Sequence, residues 1–142
     1  MFFGEFEYRL DEKGRFPIPP RFRSLLKEGL VLTRGVENCI TAYPLAEWKK
    51  LAKEVTNGSA ISRQKQRRLN RALFASAFLI RLDGQGRVTL PPKLKESAGI
   101  VDEVIIAGAN NYLELWNPAE WQEEQAIAQE QVWQIIESLE NE

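Results

Sequence analysis

The sequence predicts an α+β fold of two tandem β-β-α-β-β-α repeats arranged as a pseudo-symmetric pair. Three observations predict it. Seven of the twelve residues from Arg9 to Pro20 (RLDEKGRFPIPP) recur in order from Arg81 to Pro92 (RLDGQGRVTLPP). Gly35, Asn38 and Ala46-Glu47-Trp48 reappear as Gly108, Asn111 and Ala119-Glu120-Trp121, after one inserted residue. Short strand patterns broken by Gly and Pro then give way to helical spacing in each copy. Two copies of roughly 70 residues are too few for a solenoid, and one such half would be marginal alone, so the halves are expected to share a core.

The elements follow in order. Phe6, Tyr8 and Leu10 alternate at period two within Phe3 to Leu10, as a half-buried strand does. Asp11-Glu12-Lys13-Gly14 is a turn, because Asp bonds the backbone ahead of it and Gly tolerates positive φ. Arg15 to Ile18 is a short strand, ended by Pro19-Pro20, and Pro20 opens a short helix through Leu26. Leu30 to Thr33 and Cys39 to Ala42 form two more strands, and a helix begins at Pro44. Ser59 to Leu73 reads as a basic linking helix, with a solvated face on a packed helix favoured over a nucleic-acid recognition helix. The second copy gives a strand from Ala75 to Leu82, a turn from Asp83 to Gly86 and a strand from Arg87 to Leu90. A helix from Pro92 to Ala98 and strands from Val104 to Ile106 and Tyr112 to Leu115 complete it. Asn117 caps the last helix, with Pro118 at its first position and Glu120 three residues after the cap. Along it Trp121, Ala128, Val132, Ile135 and Leu139 make one apolar stripe. The chain thus divides into a first repeat with its following helix (1–56), a linking basic helix (57–73) and a second repeat with an acidic C-terminal helix (74–142).

Composition narrows the chemistry. The 142 residues include no histidine, which removes His-based acid-base catalysis, Ser-His and Cys-His nucleophile pairs and ordinary zinc sites. Cys39 is the only cysteine, so no intrachain disulfide forms and a reducing cytoplasm is expected. No apolar run approaches the roughly 18 residues that span a bilayer, and Gly4-Glu5 interrupts any signal-peptide stretch. The net charge of −1 hides an asymmetry. All 19 Lys and Arg lie at or before Lys95 with nine acids, while eleven acids and no base follow from Glu96. The basic part suits a polyanion partner, or it pairs with the acidic tail of the same molecule; both readings are open.

The sharpest motif is Asp11-x-x-Gly14-Arg15, mirrored by Asp83-x-x-Gly86-Arg87. Asp11 and Asp83 can hold the loop shape, while Arg15 and Arg87 offer a planar five-donor fork for phosphate or a guanine edge. The same pair could simply close a hairpin. Arg9 and Arg81 precede the turns, Arg21 and Arg23 match Lys93 and Lys95 at the short helices, and Lys13 lies within the first loop. Together they suit a DNA backbone, although solvated loops collect cations too. Carboxylate pairs such as Glu123-Glu124 lack a companion nucleophile, and no Gly-rich phosphate loop is present.

The blocks FGEFEYRLDEKGRFPIPPRFR, VLTRG, YPLAEW, LDGQGR and LELW resemble the MraZ transcriptional regulators, within the AbrB/MazE/SpoVT class of DNA-binding domains. The resemblance implies two looped or swapped hairpins forming a small pseudo-dimeric β-barrel. It implies homo-oligomeric rings of octamer type that bind short direct repeats in double-stranded promoter DNA. Regulation of the division and cell-wall gene cluster that includes the protein's own gene is expected too, as is a cytoplasmic, nucleoid-associated location. The Asp-x-x-x-Arg loops are then expected to face DNA, with no catalysis, cofactor, metal, membrane or small-molecule substrate. Leu79 and Arg81 depart from the pattern, standing where members often carry acids. An antitoxin-like module whose tail binds a partner protein is the alternative. An enzyme using carboxylates and Arg on a phosphate ester is weaker, for want of a nucleophile-base pair.

Overall fold

The computed structural model describes residues 1–57 and 61–141. The first repeat contains β1 (Glu5–Arg9), β2 (Arg15–Pro17), α1 (Pro20–Arg23) with a 3-10 turn over Ser24–Leu26, β3 (Leu30–Arg34), β4 (Ile40–Pro44) and α2 (Leu45–Asn57). After α3 (Arg63–Leu73) the second contains β5 (Phe78–Ile80), β6 (Arg87–Thr89), α4 (Pro92–Ser97), β7 (Glu103–Gly108), β8 (Leu113–Trp116) and α5 (Pro118–Glu140). The chain break expected at Gly58-Ser59, and the first residues of the linking helix, lie outside the described residues.

The repeats exchange strands. Six strands form one antiparallel sheet in the order β1-β7-β8-β4-β3-β5, and β2 pairs with β6 as a separate two-stranded ribbon. β1 therefore pairs with β7 of the other repeat, and β5 pairs with β3, in matching registers: Tyr8 faces Val104 as Ile80 faces Leu30. The pseudo-twofold axis passes between Phe16 and Val88 in the ribbon and between Thr41 and Glu114 in the sheet. Neither half can close its own sheet, which is why the repeats share one core. Phe16, Ile18, Phe22, Leu30, Leu32 and Ile40 from one half meet Val88, Leu90, Leu94, Val104, Ile106 and Leu113 from the other in a single buried cluster.

Four expectations change. The described residues form an open sheet and a ribbon, not a closed barrel. The strand expected from Ala75 to Leu82 shrinks to Phe78–Ile80, because the end of α3 still holds the chain there: Phe74 N–H donates to Asn70 O at 2.8 Å and Ser76 Oγ to Ala72 O at 2.6 Å. The linking helix is not packed. Ser62 caps α3, accepting from Lys65 N–H at 3.2 Å, but only Gln66 and Leu73 along it are even half-buried, and Ile61 and Leu69 face water. The stripe of α5 likewise leaves the body: Trp121 packs against Trp116, with ring centres 5.8 Å apart, yet Val132, Ile135 and Leu139 are exposed.

The internal alignment also shifts in one place. Gly108 faces Leu113 as Arg34 faces Ile40, so Gly108 is the counterpart of Arg34, not of Gly35. Ala109, whose N–H donates to Tyr112 O, stands where Gly35 donates to Cys39 O. The second copy has two extra residues before β7 and one fewer in the β7–β8 turn, which the match of Gly to Gly merged into a single insertion.

Candidate nucleic-acid interface

Each Asp-x-x-Gly-Arg segment builds the same loop. Asp11 Oδ1 accepts from the N–H groups of Lys13 (2.9 Å) and Arg15 (2.8 Å), and Asp11 Oδ2 accepts from Arg15 Nε at 2.7 Å. Asp83 does the same with Gln85 N–H (2.9 Å), Arg87 N–H (2.9 Å) and Arg87 Nε (2.9 Å). Asp11 N–H donates to Arg15 O and Asp83 N–H to Arg87 O, both at 2.9 Å, closing the two ends of each loop. Gly14 at φ +72° and Gly86 at φ +74° take the left-handed turn that a side chain would resist. The Arg15 N–H bond, then the Arg15 side chain and the Lys13 N–H, holds the Asp11 carboxyl below its usual range against the opposing effect of desolvation. Arg87 N–H leads the same effect on Asp83. Both carboxylates are therefore ionised at neutral pH, and each keeps its arginine oriented.

The ribbon sets the two loops side by side. Arg15 faces Thr89 and Pro17 faces Arg87 across it, and Ile18 N–H donates to Gly86 O as Leu90 N–H donates to Gly14 O. Arg87 Nη1 comes within 4.0 Å of Asp11 Oδ2, so the loops also meet through charge. Each guanidinium uses Nε to hold its loop, which fixes its plane and leaves the terminal nitrogens as further donors. Such a pair can present two oriented forks to phosphates or base edges at once.

The other candidates divide. Arg23 is half-buried, donates from Nε to Ile18 O at 3.0 Å and lies over Gly86, where a Cβ would collide with its guanidinium; it braces the second loop from the first half. Lys95 and Lys13 carry no such bond among the described residues, and Lys13 is exposed within its loop. Arg21 is diverted: it donates to Phe3 O at 2.6 Å and stacks near the rings of Phe3, Phe6 and Phe22. Arg9 makes a long ion pair of 3.8 Å with Glu103, and Arg81 Nη1 donates to Glu28 O at 3.3 Å. These two lie at opposite edges of the sheet, on the strands or just past the strands that lead into the loops. Lys93 lines a cavity with Arg34 and Arg71. The sequence reading missed Arg34, whose position at the end of β3 becomes informative only once β5 and α4 are placed beside it.

A second cluster lies away from the loops. Ligand atoms of Glu37, Cys39 and Glu114 come within 4.8 Å of one another. Burial, and then the Glu114 charge, pushes the Cys39 thiol up to about 12, and its Sγ donates to Glu114 Oε2 at 3.8 Å. Burial also raises Glu114, which Trp116 Nε1 partly offsets by donating at 3.2 Å. A thiol held protonated is a poor nucleophile and a poor metal ligand. No described helix is long and apolar enough to cross a membrane.

A family model described as "MraZ protein, putative antitoxin-like" matches residues 1–72 and again 73–137. A protein of Dehalococcoides mccartyi strain BAV1 named transcriptional regulator MraZ is 61% identical over 99% of both chains. A protein of the same name from Deinococcus radiodurans is 43% identical over 90% of this chain and 88% of its own. One from Lactobacillus delbrueckii is 38% identical over 99% and 98%. Two matches to one family model and full-length relatives at these identities mean that the chain belongs to the MraZ family.

Proposed function

We propose that the chain is a non-enzymatic, sequence-specific DNA-binding transcriptional regulator; its relatives' names support the regulator part of this reading. In this reading it binds short direct repeats upstream of its own gene, within a division and cell-wall gene cluster, and works at the nucleoid. The observation that carries the reading is the pair of matched loops, each with an ionised Asp orienting an Arg fork, set side by side on one ribbon. Arg15 and Arg87 are its base or phosphate donors, and Asp11 and Asp83 their positioning partners. Arg9, Lys13, Arg23, Arg81 and Lys95 flank them toward the backbone. Arg21 and Lys93 belong to the same proposed set, though Arg21's stacking makes it first a brace. Residues 1–56 and 74–142 act as the two reading units, joined by 57–73, and the exchanged first strands support kinship with the swapped-hairpin DNA-binding class.

Copies assembled as a ring, of octamer type, would bring several loop pairs to successive repeats, so weak single sites add through high effective concentration. The acidic α5 would be repelled by the DNA and stay on the outer side. An anisotropy titration of the DNA upstream of the chain's own gene, against a scrambled duplex and across salt, tests this. Selective binding with a log-log salt slope of several units is expected. Equal, weak binding to both duplexes would overturn it. The exposed apolar positions of α5 favour one other reading, an antitoxin-like module that captures a partner protein; co-purification of a stoichiometric, unrelated chain would favour that instead.

A further inference from the structure

The two halves treat one equivalent place differently. In the first half it is filled. The Arg21 guanidinium lies 4.5 Å from the Phe3 ring centre and 4.9 Å from those of Phe6 and Phe22, and a Cβ on Gly108 would collide with the Phe3 backbone. In the second half the counterparts are Ala75 for Phe3, Phe78 for Phe6, Lys93 for Arg21, Leu94 for Phe22 and, by strand register, Arg34 for Gly108. Two of the three rings are missing there, and an open cavity of about 400 Å³ lies at the place. Ala75, Phe78 and Leu94 give it an apolar wall, while Arg34, Arg71 and Lys93 supply three cations and no carboxylate lines it. Among the described residues none of these three cations has an acidic partner within 4.0 Å. Such a lining suits an aromatic ring flanked by negative charge.

The chain carries such a group elsewhere. Trp133 on α5 is 72% exposed. Glu130, three residues before it, and Glu137, four after, share its helical face. Contacts with its own body cannot explain Trp133, since α5 is anchored at the other edge of the sheet. There Trp121 Nε1 donates to Glu5 Oε2 on β1 at 3.0 Å, whereas the cavity adjoins β3 and β5. We propose that Trp133 of one copy, with Glu130 and Glu137, docks into the Arg34–Arg71–Lys93 cavity of a second copy of this chain. This rests on the multisubunit reading above, names its contact, and gives Lys93 to that contact in place of the DNA backbone.

The charges decide the mode. Two α5 helices pairing with each other would face six glutamates against six with no cation between them, so a self-complementary α5 contact is opposed. A helix from one edge entering a cavity at the other joins two different patches, so the contact is either exchanged reciprocally in a twofold pair or runs head to tail as a ring or filament. Val132, Ile136 and Leu139 beside the tryptophan would gain cover from the exposed α3 surface around Leu69. A buried tryptophan ringed by ion pairs is the kind of anchor on which an interface depends.

The test measures molar mass by light scattering on full-length protein over a range of concentrations, with far-UV melts to show that each variant folds. Trp133→Ala, and separately Arg34→Glu with Arg71→Glu, should raise the dissociation constant of the assembly at least tenfold. Glu130→Arg with Glu137→Arg should do the same, and mixing it in one chain with the Arg34→Glu and Arg71→Glu changes should restore assembly. An assembly of wild-type mass that survives Trp133→Ala overturns this contact and leaves the multisubunit reading standing. Variants that break assembly but are not restored by the charge exchange overturn it too. Wild-type protein that stays monomeric throughout overturns both.

Discussion

Gly14 and Gly86 share one backbone conformation but not one environment. A Cβ on Gly14 would find only the Leu90 carbonyl, at 3.7 Å, whereas one on Gly86 would strike Arg23. Gly14→Ala should therefore cost little beyond the left-handed penalty, about 1–2 kcal/mol, and Gly86→Ala more, because Arg23 must swing aside and give up its bond to Ile18 O; urea unfolding of the two variants compares them. The loop carboxylates give a pH expectation. Both Asp11 and Asp83 have folded values below the ordinary one, so the folded state binds fewer protons and their contribution is complete above the ordinary range. It is lost as pH falls through the lowered values. Amide NMR signals of Lys13, Arg15, Gln85 and Arg87 should titrate below the usual carboxylate range, and Asp11→Asn should abolish the first pair only. At this scale the turns were legible, because Asp and Gly act within four residues. The Arg23 brace and the Arg21 stack were not, since Arg23 must cross to the other half and Arg21 reaches back 18 residues to Phe3.

At the scale of elements, the short ribbon carries more than its length suggests. Phe16 on β2 is 1% exposed and faces Val88 on the pseudo-axis, so both halves pack around it. Phe16→Ala should destabilise by about 3–5 kcal/mol, read from thermal or denaturant unfolding of the whole molecule in one transition. Asn117 caps α5 through its Oδ1, which accepts from Ala119 and Glu120 N–H, while its Nδ2 donates to Gly99 O at 2.6 Å. Asn117→Ala should cost about 1–2 kcal/mol and loosen the start of α5, seen as faster amide exchange at Ala119 to Trp121. The capped start of α5 and the alternation of β1 were readable because they are local signals. What each element packs against was not. Helical spacing gave α3 and α5 apolar faces, but periodicity does not say whether a neighbour is present, and the chain's own body supplies almost none. β5 was overextended for a related reason: alternation in Ala75 to Leu82 competes with the hydrogen bonds that keep Phe74 and Ser76 on the helix end.

Across the whole molecule, duplication and charge shape the account together. The repeat announced a pseudo-symmetric pair, but not that each repeat would lend its first strand to the other's sheet; that pairing lies far beyond any local pattern. Strand exchange makes the loops one rigid unit, so damage in either half should reach both. The charge asymmetry was visible at once, but not that its basic part would be spread over the loops, the cavity beside α3 and the outer faces of α2 and α3. In the regulator account only the loops read DNA. The most direct test compares wild type, Arg15→Ala, Arg87→Ala and the double variant on the upstream duplex and on a scrambled one, at one salt concentration. Each single change should cost about 1–3 kcal/mol on the upstream duplex if its arginine reads a base. The loss on scrambled DNA should be smaller, and the double variant should no longer distinguish the two duplexes. A double variant that keeps both the affinity and the discrimination of wild type would contradict the account.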